Sequence, residues 1–201
     1  MKAIGLGSAL GVAIQGAAML LGAASAMALP GQSVDEVKIW IQGHPTLQPA
    51  SGEKLLIRKA DTAAQRFIFQ ASILPPGRIG SPANAAFIRS EQISFFDIIN
   101  GVTRNRLEES LRTIYGPEIY QDYEQARIVV TYPGVEEINR SRNQPNQLLT
   151  ALQGELRMGD RYAYWVEIVR IKRGVNYSGQ LTILEKRDVE KLATELRNRT
   201  N

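Results

Sequence analysis

The sequence predicts an α+β domain built mainly on an antiparallel sheet. Several short runs rich in β-branched and aromatic residues predict strands, and two longer segments repeat apolar residues at helical spacing. The clearest alternation lies at 66–74, where Phe67 and Phe69 point one way and Gln70 and Ser72 the other. We expect that strand to bury one face and expose the other.

Residues 1–28 have the parts of a secretory signal peptide. Lys2 provides a positive start, residues 3–21 are almost entirely small or apolar, and the alanine-rich end offers two sites for a signal peptidase. The apolar run is close to the roughly 20 residues that span a bilayer, so a retained anchor is the alternative. Its glycines make it weakly hydrophobic, and we expect cleavage after Ala28 or Ala26, with no membrane span afterwards.

Residues 29–201 are expected to form a single α+β domain, with a possible internal loop or linker at 133–147. The chain has no cysteine, which excludes disulfides, thiolate metal sites and cysteine nucleophiles. Its formal net charge is +4. Ordinary surface charge explains this small surplus most simply. If the charge serves binding in an exported protein, we expect an acidic protein or an anionic envelope component as partner, and no nucleic acid.

The first part of this domain predicts a helix followed by strands. Ser33 and Glu36 form a capping-box signature ahead of apolar residues at helical spacing, although alternation at 37–41 leaves a strand as the alternative. The runs at 54–59 and 66–74 predict a hairpin and 93–99 a third strand.

The most regular helical pattern covers 103–115. Leu107 and Leu111 lie on its apolar face, and Gly116 ends it, with Pro117 placed to start a second short helix. A strand at 127–132 follows. The strand, helix and strand together predict a βαβ-like insertion, which would be right-handed if the two strands were parallel neighbours.

The last third predicts three more strands and a closing helix. Asp188 is expected to cap an amphipathic helix at 188–198 with its side chain. The strands are predicted at 148–158, 162–172 and 180–184, with a tight turn at Gly159. The predicted core includes Phe67, Phe69, Leu107, Leu111, Val130, Val166, Ile168, Leu192 and Leu196.

Few residues are placed for catalysis. His44, the only histidine, lies at a predicted helix end, where a cationic imidazole would satisfy the last carbonyls. The chain has neither a G-x-S-x-G nor an H-E-x-x-H pattern, and we expect no cofactor and no metal. Glu118 and Asp122 lie in a carboxylate-rich stretch that is explained most simply as a solvated helix face. A carboxylate-dependent hydrolase of envelope polysaccharide is the alternative function.

The basic and aromatic residues of the predicted strand 162–172 are the strongest binding candidates. Tyr162, Tyr164, Arg170 and Lys172 share one face of that strand, where rings and cationic donors suit an acidic partner. The simpler interpretation places Tyr164 in the core. The favoured hypothesis is a non-enzymatic binding or scaffolding protein of a bacterial envelope, working in the periplasm or an equivalent compartment.

Overall fold

The computed structural model describes residues 29–77, 85–134, 151–169 and 176–199. These residues form α1 (Val34–Gly43), β1 (Leu56–Thr62), β2 (Gln65–Ser72), β3 (Ser90–Asp97), α2 (Arg104–Gln125), β4 (Arg127–Tyr132), β5 (Leu152–Met158), β6 (Ala163–Val169), β7 (Ser178–Leu184), a 3-10 turn (Lys186–Asp188) and α3 (Val189–Asn198). The strands make one sheet in the order β1-β2-β3-β7-β6-β5-β4, and every neighbouring pair is antiparallel. The predicted α+β class with a mostly antiparallel sheet is confirmed.

The sheet has two faces of different composition, because successive strand residues point to opposite sides. On the first face, Phe69, Ile93, Leu181 and Val166 stand side by side on β2, β3, β7 and β6, and all four are buried. Helices α1 and α2 pack on this face and complete the larger of two core clusters. Phe67 and Ile168, both predicted core residues, are partly buried at its margin.

Helix α3 packs on the second face but covers only the half near β4 and β5. Its Leu192 and Leu196 join Val130, Leu156 and Trp165 in a second core cluster. The other half of this face, above β2 and β3, has no helix packed on it in the part of the chain that the structure describes. That half is polar.

Local signals account for the helix boundaries. The Ser33 hydroxyl accepts from the Glu36 amide at 3.3 Å and the Glu36 carboxylate accepts from the Ser33 amide at 2.9 Å, so the predicted capping box is present and the strand alternative is wrong. Gly116 has a φ of 79°, which breaks α2 into two helical segments. Pro117 starts the second segment, as predicted.

The connection from β3 through α2 to β4 differs from a simple βαβ unit. The two strands run in the same direction, because an even number of antiparallel pairings separates them, but β7, β6 and β5 lie between them. They are therefore not neighbours. The later strands occupy the space beside β3, and α2 crosses the first face to bring β4 to the far edge.

Asp188 does not cap α3 with its side chain, which corrects the sequence-based expectation. Its carboxylate accepts from Arg89 Nε at 3.2 Å and also pairs with Nη2 of the same guanidinium. Arg89 Nε lies 2.8 Å from a Glu185 carboxylate oxygen as well. This nearly buried ion-pair group fastens the start of α3 to the start of β3.

Asp122 of α2 holds the turn between β5 and β6 against the helix. Its Oδ1 accepts from the Asp160 amide at 2.8 Å and the Arg161 amide at 3.0 Å, and its Oδ2 accepts from the Tyr164 hydroxyl at 2.7 Å. A Cβ at Gly159 would lie 2.8 Å from the Asp122 Cγ. The turn therefore needs glycine at this close approach.

Glu91 is a carboxylic acid enclosed in the larger core cluster, with 0% of its surface exposed. Its Oε2 accepts from the Tyr115 hydroxyl at 2.6 Å, and its Oε1 has no hydrogen-bond partner among the described residues. Burial raises the pKa of Glu91 to about 7, although the Tyr115 hydrogen bond opposes the shift.

Glu91→Gln should remove a pH dependence of stability. The folded-state pKa of about 7 lies above the ordinary 4.5, so the stability linked to Glu91 is complete below about pH 4.5 and is lost as the pH rises through 7. A shift of this size corresponds to about 3 kcal/mol at pH 8. Urea denaturation at pH 5 and pH 8 measures it.

Glu124→Gln, at an exposed carboxylate of α2, is the control and should keep the wild-type pH dependence. A wild-type protein that loses no more stability between pH 5 and pH 8 than Glu91→Gln does would contradict this account of Glu91.

Candidate functional site

The uncovered half of the second face is the floor of an open cleft of about 280 Å³, which we call the glutamine cleft. Its floor comes from β2, β3 and β7 and consists of Gln70, Ser72, Ser90, Gln92, Gln180 and Thr182. The register places Gln70 beside Gln92 and Gln92 beside Thr182. Residues far apart in the chain thus form one continuous polar surface.

The segment 74–77 forms one wall of the cleft, and two hydrogen bonds tie it to the floor. The Ser72 hydroxyl accepts from the Leu74 amide at 3.0 Å, and the Ser90 hydroxyl donates to the Leu74 carbonyl at 3.0 Å. Gly77 has a φ of 95°, and a Cβ there would crowd Leu192 of α3. The wall therefore packs against α3.

A chain of hydrogen bonds orients the floor amides. Trp165 Nε1 donates to the Tyr132 hydroxyl at 2.7 Å, and that hydroxyl donates to Glu167 Oε2 at 2.7 Å. Gln180 Nε2 donates to Glu167 Oε1 at 3.2 Å, and Gln92 Nε2 donates to the Gln180 carbonyl oxygen. Burial, reinforced by the Glu167 carboxylate, raises the pKa of Tyr132, so its hydroxyl stays protonated as a donor.

Tyr132 reaches Glu167 because a glycine lies beside it on the neighbouring strand. Gly154 of β5 is the register partner of Tyr132, and a Cβ at that position would stand 2.5 Å from the Tyr132 Cζ. Any side chain there would displace the ring. Gly154 is therefore needed for the hydrogen bond from Tyr132 to Glu167 beside the cleft floor.

Two polar side chains of the floor have no hydrogen-bond partner among the described residues. The side-chain amide of Gln70 and the side-chain hydroxyl of Thr182 make no hydrogen bond with any described residue. Arg199 is the one charged residue among the described residues of the lining, with its Nη1 3.4 Å from Glu167 Oε2 and its guanidinium 5.4 Å from the Trp165 ring centre. The cleft thus offers neutral donors and acceptors beside a cation.

Of the four residues predicted as a binding surface, the structure describes Tyr162 and Tyr164. Tyr164 has 0% exposure and donates to Asp122, so it belongs to the core and takes no part in a surface. Alternation correctly placed it beside Val166, but that face is covered by α2. Tyr162 is half-buried at the end of the sheet. Arg170 and Lys172 lie outside the described residues, as does most of the predicted loop at 133–147.

Tyr162 borders a second cleft, of about 330 Å³, with Arg161, Lys186 and Arg187 in its lining. These cations resemble the predicted basic and aromatic site in composition. Each already has a partner, since Arg161 and Arg187 pair with carboxylates and Lys186 donates to a backbone carbonyl. The lining also includes the Glu185 carboxylate, which would repel an anion, so this cleft is a weaker site for an anion than its cations alone indicate.

His44 is neutral and structural. Its Nδ1 accepts from the Thr46 and Leu47 amides at 3.2 and 3.3 Å, so Nε2 carries the proton and donates to the Ile114 carbonyl at 3.0 Å. Burial lowers the pKa of His44, against the effect of the Ile114 hydrogen bond. The expected cationic cap on its own helix is thus corrected, because the neutral imidazole joins α1 to α2.

The two carboxylates considered for a hydrolase, Glu118 and Asp122, have different surroundings. Glu118 has a side chain 76% exposed beside Arg161, whereas the Asp122 oxygens are occupied by the β5–β6 turn. Four clefts among the described residues each have at most one carboxylate in their lining. Within the same residues, no three His, Asp or Glu side chains are grouped as metal ligands, and no helix is long and apolar enough to cross a bilayer.

Comparison with known proteins gives no matching family model, no matching curated protein and no matching solved structure. Sequence reasoning missed the glutamine cleft as a whole. Its only signal was the polar side of the alternation at 66–74, which contributes Gln70 and Ser72 to the floor.

Tyr132→Phe should destabilise the fold by about 1–3 kcal/mol, because it leaves the buried Trp165 N–H without a partner and removes the hydrogen bond to Glu167. Urea denaturation followed by circular dichroism measures this change. Tyr177→Phe removes a hydroxyl that bonds to no described residue and should change stability by less than about 0.5 kcal/mol. Equal effects of the two variants would contradict the hydrogen-bond chain.

Proposed function

We propose that this chain is an exported, non-enzymatic protein that binds an anionic saccharide of a bacterial envelope in the glutamine cleft. The observation that carries the proposal concerns the polar side chains of the cleft floor. Hydrogen bonds orient some of them, while others have no hydrogen-bond partner among the described residues. Glu167 orients Gln180 and, through it, Gln92, while the Gln70 amide and the Thr182 hydroxyl are without partners among the described residues.

Oriented donors and acceptors favour a ligand rich in hydroxyl or amide groups, because little side-chain freedom is lost when such a ligand binds. A volume of about 280 Å³ is small for a ligand pocket, which supports recognition of about one sugar unit of a longer polymer. The cleft is open to solvent, so the remainder of a polymer can continue past it.

Arg199 supports an acidic ligand. Its contact with Glu167 is long, at 3.4 Å, and uses one nitrogen of the guanidinium, whose other donors are available for a carboxylate or phosphate. An acidic group of the ligand would lie beside Arg199, and the neutral groups of the ligand would lie over Gln70 and Thr182.

The carboxylate near the floor favours binding over hydrolysis. Hydrolysis of a glycosidic bond ordinarily uses two acids about 5 to 10 Å apart on either side of that bond. Glu167 accepts hydrogen bonds from Tyr132, Gln180 and Arg199, and none of the described residues that line the cleft is an Asp or Glu. The arrangement suits recognition of the sugar.

Export is supported by the signal-like residues 1–28. Leu29, which would follow the preferred cleavage, is 3% exposed within the core, and the Gly31 amide donates to the Ile88 carbonyl at 2.7 Å. A mature chain that begins at Leu29 would therefore keep these contacts of the folded domain.

Affinity electrophoresis in gels that contain alginate, a polymer of uronic acids, tests the binding proposal against gels that contain neutral amylose. We expect alginate alone to retard the protein, and Arg199→Gln or Gln70→Ala to weaken that retardation about tenfold, as expected for loss of a hydrogen bond to a charged or oriented group. Arg112→Gln and Gln42→Ala, at exposed positions outside the cleft lining, are the matched controls.

Equal losses in Arg199→Gln and Arg112→Gln would mean that retardation follows net charge alone, and would contradict recognition in the cleft. Release of reducing ends from alginate by the wild-type protein would contradict the non-enzymatic part of the proposal.

Mass spectrometry of the protein from an expressing bacterium tests export. We expect a chain that starts at Leu29, or at Met27 for the alternative cleavage, in the periplasmic fraction. An intact chain that starts at Met1 in the membrane fraction would contradict cleavage.

A further inference from the structure

Another cleft lies on the first face of the sheet, between α2 and the strands β1 to β3. It is separate from the glutamine cleft and from the cleft beside Tyr162. It has a volume of about 310 Å³. We call it the phenylalanine slot, and its defining residues are Lys59, Phe67, Phe95, Arg106, Ser110 and Ile114. The Phe67 and Phe95 rings form its floor, with centres 5.3 Å apart.

The slot exists because α2 does not cover the whole first face. This helix packs on β3, β7 and β6, whereas Lys59 and Phe67 belong to β1 and β2 beyond its main contacts. Phe67 and Phe95, which are neighbours in one row of the sheet, are consequently both only partly buried. An apolar floor is left beside the helix.

The helix wall of the slot offers few free donors. The Ser110 hydroxyl donates to the Arg106 carbonyl at 2.8 Å, and the Thr113 hydroxyl donates to the Glu109 carbonyl at 2.8 Å. Both hydroxyl protons are therefore used within the helix. Methyl, methylene and ring surfaces remain for a ligand, which is the composition of an apolar binding site.

The charged residues give the slot two different ends. Arg106 stands 4.7 Å from the Phe95 ring centre and is paired with Asp97 at 2.6 Å. Lys59 Nζ donates to the Thr46 carbonyl at 2.7 Å and forms no ion pair within the described residues. An ammonium has three donors, so Lys59 keeps two for a ligand.

We propose that the phenylalanine slot binds a free medium-chain carboxylate, with its alkyl tail over Phe67 and Phe95 and its carboxylate on Lys59. The exposed Glu109 lines the helix side and would repel a carboxylate placed there, which leaves the Lys59 end for the head group. An apolar cavity of about 150 Å³ accepts benzene, so a slot of twice that volume takes a ligand of roughly ten heavy atoms.

Calorimetric titration of the folded protein with octanoate and with 1-octanol tests the proposal, because the two ligands share a tail and differ in charge. We expect octanoate to bind roughly tenfold more tightly than octanol, as one hydrogen bond to a charged group provides. Lys59→Gln should remove this preference and leave octanol binding unchanged. Lys54→Gln, at an exposed lysine outside the slot lining, should keep it.

A blocking variant locates the binding. Ser110→Trp places a ring in the slot and should weaken both ligands at least tenfold, whereas Asn105→Trp, on an exposed part of the same helix, should not. The Ile114 methyl signals in NMR should shift with octanoate in the wild type and in Asn105→Trp. Near-ultraviolet circular dichroism checks that both variants are folded.

Three results would overturn the proposal. Equal affinities of the wild type for octanol and octanoate would exclude recognition of the head group by Lys59. Octanoate affinity unchanged by Ser110→Trp would place the ligand elsewhere. Octanoate-induced shifts absent from Ile114 would do the same.

Discussion

The alternation of side chains along antiparallel strands is the constraint on which the rest of this structure depends. Seven strands share one sheet, so the register between neighbours decides which residues meet on each face. A shift of β2 by one residue would turn Phe69 away from the larger core cluster and turn Gln70 into it. The hydrophobic core and the polar cleft are therefore two consequences of the same set of strand pairings.

Unequal covering of the two faces produces clefts of different chemistry. Helix α2 crosses the first face, but the row at Lys59 and Phe67 extends beyond it, and an apolar slot with a cationic end results. Helix α3 has only 10 residues and covers part of the second face, so no described helix packs over the polar side chains of β2, β3 and β7. Both binding proposals follow from where helices stop.

Local features of the fold were predictable because each depends on residues close together in the chain. The capping box at Ser33 and the break at Gly116 act within a single turn of helix. Strand β4 was predicted at 127–132, as observed, because its run of apolar residues is short and bounded. The same applies to the alternation in β2, which separated buried from polar positions correctly.

The sites were not predictable because they are assembled across strands that are distant in the chain. Gln70, Gln92 and Gln180 become neighbours only through the order β2-β3-β7. Alternation also shows which residues share a face of the sheet, but it does not show whether a helix covers that face. For this reason the sequence allows Tyr164 to lie on a binding surface. The sequence predicts that Asp188 caps a helix. Its partner in the structure, Arg89, is distant in the chain, so no local pattern indicates their ion pair.

The side-chain amide signals of Gln92 and Gln180 test most directly the central claim that the cleft floor is held in one geometry before a ligand binds. NMR of 15N-labelled protein should show both amides exchanging with solvent more slowly than that of the exposed Gln42. Glu167→Gln should shift the Gln92 signals as well as those of Gln180, since Gln180 lies between them. Amide signals of Gln92 and Gln180 that match Gln42 in shift and exchange would contradict the claim.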